Sequence, residues 1–296
     1  MRFAATVLLA ICSATPAVFA QDMPLSQVLI DGEDWELIGE GYQFTEGPAV
    51  NRAGEVYFTD VRGNTIYRIG LDQQVSVFDD EAGGTSGMMF GADDRLYACR
   101  NREKKIVAYN ADGSLDVLVE GIGCNDMLVT SDGGIYWTDP RTEKVWYRSP
   151  DGDVRAVIEG LRTNGIILWP HEGTLVVTDH FEPRLWAYRV EADGSLTHGE
   201  AYYAPLRMLP GAEIPRSDGM TVDRDGRLYV ATDAGLQMFD PTGRMGGVIH
   251  KPQQAFLSNV AFGGPELSYL YVTCQNKVYR RKTKTAGHPV FLNGSK

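Results

Sequence analysis

Six short segments of the chain carry an oxygen-bearing side chain just ahead of apolar residues. They are Glu46-Gly47-Pro48, Ser86-Gly87-Met88, Asn125-Asp126-Met127, Asn164-Gly165-Ile166, Asp218-Gly219-Met220 and Asn259-Val260-Ala261. Carboxylates, amide carbonyls and hydroxyls are hard ligands, of which a calcium ion collects about six to eight. Glu46 and Asp218 bring two formal negative charges, matching a divalent cation, and Asn125 and Asn164 add neutral carbonyls. No histidine or cysteine heads any copy, which disfavours zinc and copper without removing zinc altogether, and leaves magnesium and manganese open. Any one Asx-Gly at a strand start reads as an ordinary turn. It is the common register of all six copies that argues for a ring of ligands.

A register needs a repeat to carry it. About ten residues after each segment stands an aliphatic-aromatic stretch: Val56-Tyr57-Phe58-Thr59-Asp60, Leu96-Tyr97-Ala98-Cys99, Ile135-Tyr136-Trp137-Thr138-Asp139, Leu175-Val176-Val177-Thr178-Asp179, Leu228-Tyr229-Val230-Ala231 and Leu270-Tyr271-Val272-Thr273. The starts at 56, 96, 135, 175, 228 and 270 are separated by 40, 39, 40, 53 and 42 residues. A unit of about 40 residues, rich in β-branched and aromatic side chains, is one four-stranded blade of a propeller. The fold expected is all-β, a six-bladed β-propeller over residues 21–296, with the six polar positions at one end of its central channel. Asp-Gly pairs at 112, 132, 151, 193 and 225 supply tight hairpins. The longer step requires an insertion between Glu200 and Pro215, expected to lie over one face. Residues 35–38 are expected to add an outer strand to the last blade, closing the ring and removing two sheet edges.

Composition narrows the classes of function. The net charge is −11, which repels phosphate backbones and argues against nucleic acid as a partner. Arg2 followed by an apolar run to Ala20, with Val18-Phe19-Ala20 before Gln21, reads as a secretory signal peptide over residues 1–20. A periplasmic or secreted protein with no membrane span is expected, as a monomer. Cys99, Cys124 and Cys274 follow the leader, an odd number and without a CxxC, so neither a disulfide framework nor structural zinc is expected. Cys124 reads as packing. No G-x-S-x-G occurs to support a serine triad. Asp60, Asp139 and Asp179 recur with the blade and take a structural reading. Arg100 breaks that pattern and is a candidate for a substrate carboxylate, and His180 is a candidate at the channel mouth.

The same residues resemble a known family. Thr45-Glu46-Gly47-Pro48, Asn125-Asp126, Asn164-Gly165, Ser217-Asp218-Gly219-Met220 and Ala261-Phe262-Gly263-Gly264-Pro265 are similar, in order and over nearly the whole chain after the leader, to the gluconolactonase, senescence marker protein and luciferin-regenerating enzyme family. The resemblance implies a six-bladed propeller with one catalytic divalent metal, calcium first among the choices. It implies Glu46, Asn164 and Asp218 as metal ligands. It also implies Asn125 as a substrate contact, or as a further ligand as in the related diisopropylfluorophosphatase. Animal members carry an arginine two residues before that asparagine, where this chain has Gly123.

The activity expected is hydrolysis of a small-molecule sugar lactone. The cation polarises the carbonyl, Asp218 acts as base for the attacking water, and Asn125, Arg100 and His180 meet the substrate. Two alternatives stand beside it: an organophosphate hydrolase on the same metal, and a non-catalytic, calcium-stabilised binding propeller.

Overall fold

The computed structural model describes residues 23–293; the leader reading over residues 1–20 lies outside the described residues. Six four-stranded sheets account for all the strands among them. Five of the sheets are antiparallel meanders in chain order. The first, for example, runs through Thr45–Val50, Val56–Asp60, Thr65–Ile69 and Val75–Asp79. This is the expected six-bladed β-propeller. The repeated stretches form the second strand of every blade, and all are buried on both faces. That explains their unbroken run of apolar residues where a half-exposed strand would alternate.

The ring closes as the sequence predicts. Glu36–Glu40 pairs with Lys277–Lys282 and becomes the outer strand of the sixth blade. Hydrophobic clusters fill the spaces between neighbouring blades; one joins Trp137, Cys124 and Cys99 of the second and third blades. The Asp-Gly hairpins carry positive φ at Gly113, Gly133, Gly152, Gly194 and Gly226, where a side chain would strain the backbone.

The first part of the insertion packs inward. Tyr203 and Leu206 are buried in the seam between the fourth and fifth blades, against Leu185, Leu228 and Phe239. The Tyr203 hydroxyl meets Trp169 Nε1 at 2.6 Å, and Leu206 N donates to Pro183 O at 3.0 Å. Its Ala/Tyr/Leu composition therefore serves as a wedge, because two large apolar side chains are stabilised more by a dry seam than by a wet surface.

Candidate functional site

Four of the six polar segments are bulges in the innermost strand. Antiparallel pairing slips between Glu46 and Ala49, between Thr85 and Met88, between Thr163 and Ile166 and between Leu257 and Asn259. In the third and fifth blades the innermost strand begins to pair only at Met127 and Met220. A bulge breaks the two-residue alternation and re-aims a side chain. In four blades such a bulge, and in the other two an unpaired lead into the strand, carries the oxygen-bearing residue. The glycine that follows has a different task. A Cβ on Gly165 would stand 2.1 Å from Asp218 O, and one on Gly47 1.9 Å from Ser86 O. Neighbouring backbones touch here, and only hydrogen fits between them.

The six heading residues then divide. Ser86 Oγ donates to Asn125 O at 2.6 Å, so its hydroxyl ties the second blade to the third. Asn259 donates to Glu46 Oε2 at 3.1 Å and accepts from Val260 N at 2.8 Å, so it orients the glutamate. Asn164 Oδ1 is buried without a hydrogen-bond partner. Asn125 lies in a side cleft of about 500 Å³ on the same face, and its successor Asp126 takes the axial position. Sequence reasoning quoted Asp126 without giving it a role. The signal that could have found it is parity, since adjacent residues of a strand face opposite ways.

Glu46, Asp126 and Asp218 are all buried, and they sense one another. Burial, offset in part by the Gly47 N–H and Asn259, pushes the Glu46 carboxyl from 4.5 to about 7. Burial and then the charge of Glu46 push Asp126 from 3.8 to about 7. Burial and the charges of Glu46 and Asp126 push Asp218 well above the carboxylate range. No lysine or arginine is among the influences on any of the three. Three buried acids without a basic partner, beside an amide oxygen without a donor, make a site short of positive charge. Among the described residues no group of three or more His, Cys, Asp and Glu is gathered as a metal cluster. The ligand set read from the sequence has only two carboxylates, completed by an amide. The donors present, oxygen throughout, suit a hard divalent cation.

Other candidates fall elsewhere. Arg100 is a correction: it is buried among Asp79 at 3.5 Å, Glu103 at 3.0 Å and the Tyr109 hydroxyl at 3.5 Å, and also donates to Glu81 O. Its guanidinium joins the outer edge of the first blade to the second and is not available to a substrate. His180 is half-buried against Phe181 and the Ser217 backbone, one residue from Asp218; burial lowers its pKa, and Nδ1 has no partner. Asp60 accepts from Gln43 N, Phe44 N and Gly63 N, and so organises its hairpin loop. Asp139 and Asp179 do the same in theirs. Cys124 packs in the core with its thiol toward Lys105 O.

Below the acids the channel turns apolar. A cavity of about 100 Å³ is lined by Val50, Phe90, Val129, Leu168, Val222 and Phe262. Val290 and the pair His288 Nε2 to Asn293 Oδ1, 2.7 Å apart, stand at its far end, and Asn293 is itself held by Glu172 at 2.9 Å.

The sequence profile described as the SMP-30/Gluconolactonase/LRE-like region matches residues 44–276. The chain belongs to this family. A gluconolactonase of Zymomonas mobilis subsp. mobilis is 30% identical over 133 residues, 42% of this chain and 35% of that protein. The match thus spans about a third of that curated relative. A solved structure of a gluconolactonase from Xanthomonas campestris aligns with a TM-score of 0.78 and 25% identity, covering 88% of this chain and 92% of that one. A calcium-binding regucalcin from Agrobacterium tumefaciens aligns at 0.72 and 17% identity, covering 88% and 97%. At Gly123 a Cβ would stand 2.8 Å from the Asp139 carboxylate. An arginine at 123 has no room unless Asp139 moves.

Proposed function

We propose that this chain is a lactonase that opens a sugar lactone with the help of one divalent cation, calcium by preference, held by Glu46, Asn164 and Asp218. The observation that carries the reading is the uncompensated charge: three buried carboxyls and a partnerless amide oxygen at the mouth of the channel. Such a cation supplies Lewis-acid polarisation of a carbonyl and offsets negative charge that develops on its oxygen.

The remaining work belongs to the chain. Asn259 and the Gly47 N–H hold Glu46 Oε2 in one orientation. Asp218 receives the proton of the attacking water, and Asp126 beside it is a second carboxyl able to orient that water. Asn125, in the adjoining cleft, offers an amide to the hydroxyls of the sugar ring. His180, whose pKa burial lowers, stands near Ser217 as a further polar contact. The leader read from the sequence puts this chemistry in the periplasm or outside the cell.

The test is proton release from gluconolactone by the purified protein, with calcium and with a chelator. Turnover that chelation abolishes and calcium restores, and that Asp218→Asn reduces at least a hundredfold, is the expected result. Turnover indifferent to chelation removes the cation from the proposal. No turnover on any lactone leaves a binding propeller.

A further inference from the structure

Beside the acids lies a cleft that the reaction itself does not require. Asn125, Gly123, Asn101, Lys104, Arg141 and Trp146 line it. Residues that follow Arg100 and Asp139 in their hairpins line it together with Asn125. Lys104 and Arg141 are both exposed. In an acidic chain, cations of this kind are usually taken by neighbouring carboxylates. Here Lys105 pairs with Glu103, Lys144 with Glu159 and Arg162 with Glu143. Lys104 and Arg141 have no carboxylate within 4.0 Å among the described residues. Asp139, the acid in the lining, is already occupied: Oδ1 accepts from Arg141 N at 3.2 Å and Oδ2 from Thr142 Oγ1 at 2.7 Å. Those two bonds fix the loop that carries Arg141, and the same carboxylate fills the space beside Gly123.

We propose that Arg141, assisted by Lys104, binds an anionic group on the substrate, so that the preferred lactone carries a carboxylate or phosphate besides its ring. This rests on the lactonase reading and narrows its substrate class. The guanidinium presents a planar fork suited to either oxyanion, and Lys104 adds a second positive charge across the cleft. Asn125 meets the ring hydroxyls between this pair and the acids.

The experiment compares kcat/KM on neutral gluconolactone, glucarolactone and phosphogluconolactone, with calcium present. Wild-type protein favours an anionic lactone, and the better of the two identifies the oxyanion. Arg141→Gln lowers the ratio of anionic to neutral kcat/KM about tenfold or more, chiefly through KM, and Arg141→Lys recovers part of it. Titration calorimetry with glucarate, phosphogluconate and gluconate reads binding without turnover. At least one of the two more highly charged acids binds more tightly than gluconate, and Arg141→Gln removes the difference. Equal kcat/KM on the three lactones, or a ratio untouched by Arg141→Gln, overturns the proposal while leaving the lactonase standing. Arg141-dependent binding of glucarate or phosphogluconate by a protein that opens no lactone overturns the lactonase and leaves the anion site.

Discussion

Replacing Glu46 by glutamine separates the electrostatic cost of the site from its use. Glu46 Oε2 accepts from Gly47 N at 2.9 Å and from Asn259 Nδ2 at 3.1 Å, and the oxygen of a glutamine side chain can accept both. Shape and hydrogen bonds are kept while one charge goes. In the metal-free protein the carboxyl titrates at about 7 against an ordinary 4.5. A folded-state value above the unfolded one means that the folded chain holds the proton more tightly between those limits. The contribution of this group to stability is therefore full below about pH 4.5 and is lost as pH rises through about 7. The gap corresponds to roughly 3 kcal/mol per protein at neutral pH, before the coupling to Asp218 is shared out. Glu46→Gln, free of metal at neutral pH, is expected to be about 1–3 kcal/mol more stable than wild type, and to melt several degrees higher. At pH 4.5 the two should coincide. Added calcium should raise the wild-type melting temperature and leave the variant nearly unmoved, reversing their order. The assay is thermal unfolding by circular dichroism at both pH values, in chelator and in calcium. A variant that melts lower than wild type in chelator at neutral pH refutes the claim that Glu46 is strained by unbalanced charge. An equal calcium response in both proteins refutes its role as a ligand.

Three further outcomes follow from the same geometry. Gly165→Ala places a methyl 2.1 Å from Asp218 O, and should cost about 1–3 kcal/mol by chemical denaturation while also impairing turnover, because the shifted backbone carries Asp218. Asn164→Ala removes an oxygen that has no hydrogen-bond donor. It should leave metal-free stability within about 1 kcal/mol of wild type and weaken calcium binding at least tenfold by titration calorimetry. Arg100→Met strands Asp79 and Glu103 at the joint between two blades. It should lower stability by about 1–3 kcal/mol with KM unchanged, whereas a substrate contact would raise KM.

The blades were legible because a repeated strand carries its own signature. Val56, Leu96, Ile135, Leu228 and their counterparts stand in second strands covered on both faces, so burial alone dictates their composition. The Asp-Gly hairpins announced themselves through the positive φ they need. The strand Glu36–Glu40 was legible by elimination, as the one extended segment ahead of the first blade. Tyr202-Tyr203 and Leu206 gave no such lead, because an apolar insertion suits a lid and a wedge equally until the neighbouring blades are in place. Arg100 was misplaced for a related reason: its partners Asp79 and Glu81 come from the preceding blade, and no local spacing announces them.

The sequence by itself determined that six equivalent strand starts exist and that each presents oxygen, since both facts are periodic and need no neighbour to be read. Only the tertiary structure decided which oxygens remain free. Ser86 and Asn259 spend theirs on adjoining blades, Asn125 turns toward the side cleft, and Asp126 takes the place beside Glu46 and Asp218. The physical reason is local register: a bulge in four blades, and unpaired residues ahead of the strand in the third and fifth, decide which side chain faces inward. The contacts that enforce the slip, such as Gly165 against Asp218 and Gly47 against Ser86, join residues about forty or more positions apart in the chain.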